Sequence, residues 1–182
     1  MSTRWIVTEI DGKVASIAAD YRHFKRIATE VASLPPEEVN SVGTRKISTE
    51  ELREAALYLS WEDLRLFGSD FQKGVWKALF NLSHGQEELR LYSYSELAAL
   101  AGNPLGVRAV AHAVAMNPVA YVIPCHLIVP KESIDLVNDI RATALRTLFQ
   151  GSDIYLLDSI DVGEYAYGKE LKRELIKMQL GK

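Results

Sequence analysis

The sequence holds one thiol, Cys125, and a histidine follows it directly inside the apolar run Pro118-Val-Ala-Tyr-Val-Ile-Pro-Cys-His-Leu-Ile-Val-Pro130. A cysteine attacks as its thiolate, which is scarce at neutral pH unless a base or a positive charge favours it. His126 is placed to be that base, directly or through a water. The competing reading is a buried thiol that behaves as a small hydrophobe. Neighbours on a strand point to opposite faces, so the adjacency of Cys and His does not decide between the two. A lone thiol forms no internal disulfide and builds no cysteine-rich zinc site, so the expectation is a reducing compartment and no metal.

A second candidate is a cation on an otherwise small-residue helix face. In the segment after Pro104, Val107, Val110, Ala111 and Val114 recur at helical spacing as a buried stripe, leaving Leu105, Arg108, Ala109, His112 and Met116 on the other side. A helix that reads base edges in the major groove carries several Arg, Lys, Asn or Gln side chains, and this one has almost none. Small residues around one arginine suit close approach to a backbone or a minor groove. The bland alternative is a solvated face with an ordinary surface arginine.

These residues need elements to hold them. Trp5 to Ile10 and Val14 to Ala18 are β-prone runs joined by Asp11-Gly12, a hairpin dipeptide. Phe24, Ile27, Ala28 and Val31 predict a helix from Tyr21 to Leu34, stopped by Pro35-Pro36, and Ser48-Thr-Glu-Glu51 opens another with a capping box. Ser69 caps a longer helix with Phe71, Val75, Trp76, Leu79 and Phe80 on its apolar face, and Ser93-Tyr-Ser-Glu96 caps a short one. Gly102-Asn103-Pro104 is read as stopping that helix and starting the next, with Asn103 as cap and Pro104 in the first turn. Two short helices across a tight turn outline a helix-turn-helix. Trp5, Trp61 and Trp76 are expected in the core, and His23 and His84 at the surface.

With 48% apolar and 25% charged residues the composition is that of a globular protein, and 182 residues allow one ordinary domain or two small ones. Net charge is −3, which excludes a broadly basic nucleic-acid coat. Residues 102–131, however, hold Arg108 and Lys131 and no acid, so that stretch is +2 and the remainder −5. Any phosphate contact is expected to be local, with weak salt dependence. No secretory signal and no clean apolar run of membrane-spanning length is visible.

The pieces Gly68-Ser-Asp-Phe-Gln-Lys-Gly-Val-Trp76, Ser93-Tyr-Ser-Glu-Leu-Ala-Ala-Leu-Ala-Gly-Asn-Pro104, Arg108-Ala-Val-Ala111, Asn117-Pro118 and Ile123-Pro-Cys-His126 resemble the O6-alkylguanine-DNA alkyltransferases, the methylated-DNA–protein-cysteine methyltransferases. Tyr94, Arg108 and Asn117 lie 31, 17 and 8 residues before Cys125, the family spacing. The resemblance is close over residues 67–130. It implies an α+β fold: a small N-terminal α/β (ribonuclease H-like) domain at 1–66, a mostly helical, winged helix-turn-helix-like alkyltransferase domain at 67–153, and here a C-terminal helical extension at 154–182.

It also implies direct-reversal DNA repair. A flipped O6-alkylguanine would lose its alkyl group to Cys125 in a single irreversible turnover, with no cofactor. His126 would take the thiol proton through a water, Tyr94 would hydrogen-bond the base and crowd its phosphate, and Asn117 would brace the turn. Arg108 would fill the vacated stack, with Ala109 and His112 beside it against the minor groove. The implied partner is double-stranded DNA carrying O6-alkylguanine, met by a monomer and not by a membrane-bound protein. The implied location is cytoplasmic, at the nucleoid in a prokaryote, or nuclear in a eukaryote.

Some positions depart from the family. Leu127 stands where an arginine is usual, His112 where a small residue is usual, and the stretch between Gly85 and Tyr94 is long. The expected glycine-rich guanine loop would fall on Lys131 to Asn138, which has no glycine, and the glutamate that should orient the histidine would fall near Gln150 to Asp153. The remaining candidates for that acid are Glu132, Asp135 and Asp153. The amphipathic run from Glu164 to Leu180 reads as an added helix with Lys169, Lys172, Arg173 and Lys177 on its solvated face. These departures motivate an alternative, a non-catalytic alkyltransferase-like lesion binder. A cysteine hydrolase or redox sensor lacks a resolving cysteine or a separate His and Asn or Asp pair.

Overall fold

The computed structural model of the chain describes residues 3–85, 89–146 and 157–181. Its first element is an antiparallel sheet of order β2-β1-β3, from β1 (Trp5–Ile10), β2 (Lys13–Ala18) and β3 (Val42–Ile47). Asp11 and Gly12 join β1 to β2 with φ of 51° and 77°, the left-handed pair that a two-residue hairpin requires. The Asp11 carboxylate then accepts from Asn40 and Ser41 backbone N–H and from Arg65 at 2.6 Å, fixing the long connection into β3. β3 is exposed along nearly its whole length, so its sequence carries no alternating apolar signal.

Helix α1 (Tyr21–Ala32) packs Ile27 against Ile10 and Ala15, and α2 (Thr49–Ala56) begins at the Ser48–Glu51 capping box. The helical part follows: α3 (Asp70–His84), α4 (Tyr94–Leu100), α5 (Val107–Ala115), α6 (Lys131–Arg146) and α7 (Lys169–Leu180). Ser69 and Ser93 cap α3 and α4 with reciprocal side-chain bonds. Two short parallel strands, β4 (Tyr92–Ser93) and β5 (Ile128–Val129), tie the entry of α4 to the exit of the cysteine segment. Asn103 and Pro104 do not start α5; they form a turn closed by Gly106 N–H to Asn103 O at 3.0 Å, and the helix begins at Val107.

Packing joins the three segments of the chain. Trp5, Val7, Ile17 and Leu52 from the N-terminal part share one core with Trp76, Leu79 and Val110 from the helices and with Leu175 from α7. Trp76 also donates its indole N–H to the Ala113 carbonyl at 2.8 Å, locking α3 to α5. A second cluster buries Leu127 and Val129 against Val137, Leu157, Val162 and Ile176. Described residues of the run expected as a C-terminal helical extension contribute to both cores.

The N-terminal sheet reaches the cysteine segment by main-chain bonds. Ile17 N–H donates to Pro118 O at 2.9 Å, and Ala120 N–H donates to Ile17 O at 3.1 Å. Arg26 of α1 adds a bond to the Met116 carbonyl at the end of α5. The sheet edge is thus a wall on which the residues before Cys125 are hung. No described helix is long and apolar enough to cross a membrane.

Candidate active site

Between α5 and β5 the chain runs through a buried stretch, residues 117–129, that ends in a 3-10 turn at Cys125–Leu127. Asn117 controls its shape. Its side-chain N–H groups donate to Ile123 O at 2.8 Å and to the Cys125 sulfur at 3.1 Å, and its side-chain carbonyl accepts from Val119 N–H at 3.0 Å. Tyr121 sits at φ 72°, a left-handed backbone costing on the order of 1–3 kcal/mol for a bulky side chain. What the strain sets up is a ring stack: Tyr121 lies parallel to His126, with centroids 5.4 Å apart.

Cys125 lines an open cavity of about 410 Å³. Tyr94 and Asn117, Ala111, Val114 and Ala115 of α5, and Tyr165 and Tyr167 line it as well. The thiol is 7% exposed and lies 3.9 Å from the Tyr165 hydroxyl. Burial pushes its pKa up, while the Asn117 amide, the Tyr165 hydroxyl and the Lys172 ammonium pull it down. Burial also raises the Tyr94 phenol, so that group stays protonated as a donor over the physiological range.

His126 is fully buried. Its Nε2 is hydrogen-bonded to the Gln179 side-chain oxygen, and its Nδ1 has no partner. Burial holds its pKa down at about 3 despite the Gln179 bond, so the ring is neutral at ordinary pH. Gln179 therefore stands where an orienting acid was expected. Glu132 and Asp135 are exposed on α6, away from this pair, and Asp153 lies outside the described residues. The stretch Lys131 to Asn138, expected as the guanine loop, is the first half of α6.

Of the residues expected at the site, Tyr94, Asn117 and Cys125 line one cavity, His126 follows Cys125 in the turn without lining it, and Arg108, Ala109 and His112 are exposed on α5. The expectation did not include a further part of the lining. The loop 163–168 supplies Tyr165 and Tyr167, and Gly163 at φ 74° is needed there because a Cβ would meet the Pro130 ring at 3.1 Å. Tyr167 is braced edge-on by both Tyr165 and Trp5.

α7 supplies Gln179 and Lys172. Lys172 is 1% exposed and donates to Ile128 O at 2.7 Å and to Glu164 O at 3.5 Å, so it is not on a solvated face. Lys169 and Lys177 are at the surface, paired with Asp161 and Asp158. Lys172 is the one lysine, arginine or carboxylate that is fully buried among the described residues, and burial lowers its pKa to about 8. A usable signal was present: Lys172, Leu175, Ile176 and Gln179 share one helix face at spacings of three, four and seven, mixing two polar side chains into an apolar stripe.

Leu127 is fully buried in the second core cluster, so the position that could have held a polar anchor is held by packing instead. His84 is exposed and stacked on Phe80, whereas the side chain of His23 is outside the described set. Trp5 and Trp76 are fully buried and Trp61 only partly. Among the described residues, no group of three His, Cys, Asp or Glu could hold a metal ion.

Residues 70–137 match the family model described as 6-O-methylguanine DNA methyltransferase, DNA binding domain. A probable methylated-DNA–protein-cysteine methyltransferase of Acanthamoeba polyphaga mimivirus is 41% identical over 76 residues, 42% of this chain and 48% of that protein. The methylated-DNA–protein-cysteine methyltransferase of Methanosarcina barkeri is 37% identical over 94 residues, 48% of this chain and 57% of that one. The chain thus spans about half the length of the curated relatives it matches. The crystal structure of O6-methylguanine-DNA methyltransferase from Pyrococcus kodakaraensis superposes with a TM-score of 0.55 at 21% identity, covering 97% of this chain and 91% of that one. That of Mycobacterium tuberculosis O6-methylguanine methyltransferase gives 0.53 at 20% identity, covering 93% and 82%. At those identities the structures establish the α+β fold.

Proposed function

Given the match of residues 70–137 to the 6-O-methylguanine DNA methyltransferase DNA-binding domain, we propose that this protein repairs O6-alkylguanine in DNA by moving the alkyl group onto Cys125. One observation carries the reading: the chain's single thiol lines an open cavity together with residues of α5 and three tyrosines, with a hydrogen-bond donor on its sulfur.

The chemistry runs as a displacement at carbon. The thiol proton passes to a water that hydrogen-bonds to His126 Nδ1, which has no protein partner, and from that water to solvent. The sulfur attacks the alkyl carbon in line, a C–S bond forms, the C–O6 bond breaks, and the electron pair goes to guanine O6. A proton from Tyr94 then neutralises the base, and the Tyr94 phenol is restored from solvent. The product is a thioether on Cys125, which no step in this scheme reverses, so each molecule turns over once.

The base reaches the thiol only if it leaves the stack, at a cost of a few kcal/mol. Arg108 on the exposed face of α5 is placed to fill the gap, and the small Ala109 lets the helix come close to the minor groove. His112 lies on the same exposed face and bounds that approach. One copy of the chain supplies every group used, and no cofactor enters.

The test is incubation with duplex DNA carrying O6-methylguanine, followed by intact mass and a peptide map. The expected result is a stoichiometric gain of one methylene mass on the Cys125 peptide, absent in Cys125→Ser. Tight lesion binding without mass gain would support the second reading, a non-catalytic lesion binder. The observation that favours that reading is the neutral partner of His126, since Gln179 cannot hold a proton charge in place as a carboxylate can.

A further inference from the structure

We propose that Gln179 is a positioning residue that locks His126 as the neutral Nε2–H tautomer, so that its Nδ1 orients the thiol or a water by accepting a hydrogen bond, while the thiol proton goes to solvent and not onto the ring. The inference rests on the alkyl-transfer reading for its consequence, not for its geometry.

The geometry is a buried pair with one open end. Nε2 of His126 meets the Gln179 side-chain oxygen, which can only accept, so the ring proton sits on Nε2 and the Nδ1 lone pair is the free acceptor. Tyr121, stacked flat on the ring, opposes the flip that would put ring carbons where the two nitrogens now stand. An imidazolium here would have to be stabilised by its surroundings. The groups acting on it among the described residues are Cys125 beside it, Tyr121 from the turn, and Lys172 and Gln179 from α7. Arg53 of α2 and His84 of α3 line the small cavity behind Gln179 and Tyr121. Among the described residues none of these is a carboxylate, and the charged ones are cations. A carboxamide gives a neutral hydrogen bond where a carboxylate would give a charge-assisted one, about twice as strong.

The electrostatic work on the thiol therefore falls to the buried Lys172 ammonium and the Asn117 amide rather than to a histidine cation. The pH dependence of the thiol should then show its own midpoint alone, with no contribution from His126. Gln179→Glu is nearly isosteric and adds the missing charge. It would let His126 hold the proton, giving thiolate, imidazolium and carboxylate in a row, and lower the thiol midpoint.

Two measurements test this without DNA. Nitrogen NMR of the histidine side chains at pH 7 is expected to give one ring with a protonated Nε2 and a bare Nδ1, absent from His126→Asn. Iodoacetamide alkylation of the single thiol against pH is expected to give one midpoint for the parent. Gln179→Leu should keep that midpoint, because the parent histidine is already neutral. Gln179→Glu should move it down by a unit or more, raising the rate at pH 7 about tenfold.

A protonated Nδ1 in the parent overturns the proposal. So does an unmoved midpoint in Gln179→Glu, or a midpoint that rises in Gln179→Leu, which would mean that His126 already holds the proton. If these results come out as expected while the parent takes no methyl group from O6-methylguanine duplex, the alkyl-transfer reading falls and the tautomer assignment stands.

Discussion

The side-chain amide of Asn117 donates at once to the Cys125 sulfur, at 3.1 Å, and to the Ile123 carbonyl, at 2.8 Å. One buried group thus sets both the backbone turn and the electrostatics of the thiol. Asn117→Ala leaves Val119 N–H without its partner and Ile123 O with only the Cys125 N–H, and a buried orphan costs about 1–3 kcal/mol. The variant is expected to lose several degrees in Tm and to react more slowly with iodoacetamide. Asn117→Asp separates the two effects. It keeps the acceptor for Val119 but turns a negative group toward the sulfur, so thiol reactivity should fall further than stability does.

The buried histidine gives a stability signature in acid. His126 titrates near 3 in the fold, while the unfolded chain has the ordinary histidine value of about 6.5. Between those values the unfolded state binds the extra proton, so stability rises with pH across that window and is lost as pH falls through it. Tm is therefore expected to drop progressively from about pH 6.5 downward. In His126→Asn the same scan should be flatter over pH 4–6.5; an equal slope would show that another group carries the acid limb.

The half of the site that was legible in the sequence is the half whose residues are close together or capped by short motifs. Cys125, His126 and Asn117 lie within one turn of chain, and Ser93–Glu96 marks the helix that presents Tyr94. The hairpin and the capped helices follow the same logic, since each is specified by local backbone chemistry. β3 was not legible because it is an exposed strand with no apolar alternation. Tyr165, Lys172 and Gln179 were not legible as site residues because their role depends on α7 packing back against the cysteine turn, more than 40 residues away in sequence. α6 displaced them from the position where the resemblance directs attention. The lysine in particular reads as surface by residue type, and only burial reverses that.

Lys172 is a buried cation without a buried carboxylate among the described residues, an arrangement that costs stability and is repaid when the neighbouring thiol ionises. Lys172→Met keeps the volume and removes the charge, at the loss of the bond to Ile128 O. Its Tm is expected to stay within a few degrees of the parent, because exchanging a buried ion for a hydrophobe is often neutral. Its thiol should react about tenfold more slowly at pH 7, a unit of pKa. Because the lysine itself loses its proton near pH 8, the gap between parent and variant should narrow above that pH. A constant gap from pH 6 to 10 would assign the effect to packing.

Leu127 offers a test of what replaced the polar anchor. Its side chain is fully buried among Leu157, Val162 and Ile176, from segments that follow α6. Leu127→Arg would place an unpaired charge in that cluster and is expected to cost about 3–5 kcal/mol, the penalty of an uncompensated buried ion. Leu127→Met should cost under about 1.5 kcal/mol. Denaturant unfolding of both variants checks the pair. An arginine tolerated without loss would mean that the cluster opens, and that the C-terminal segment is held only by α7.

Arg108 is exposed on α5, the helix that also lines the Cys125 cavity, and makes no hydrogen bond or ion pair among the described residues. Arg108→Ala should therefore leave Tm and iodoacetamide reactivity unchanged. If the side chain fills the gap left by an extruded base, its removal should cost about 1–3 kcal/mol on duplex substrate. The cost should be much smaller on the free base O6-methylguanine, which has no stack to leave. The salt dependence of duplex binding should also flatten, by about one unit of slope if the guanidinium also neutralises a phosphate. The comparison that decides is single-turnover methyl transfer from duplex against free base for parent and variant. Equal losses on both would place Arg108 in the pocket chemistry rather than in the stack, and the exposed face of α5 would lose its assigned role in extruding the base.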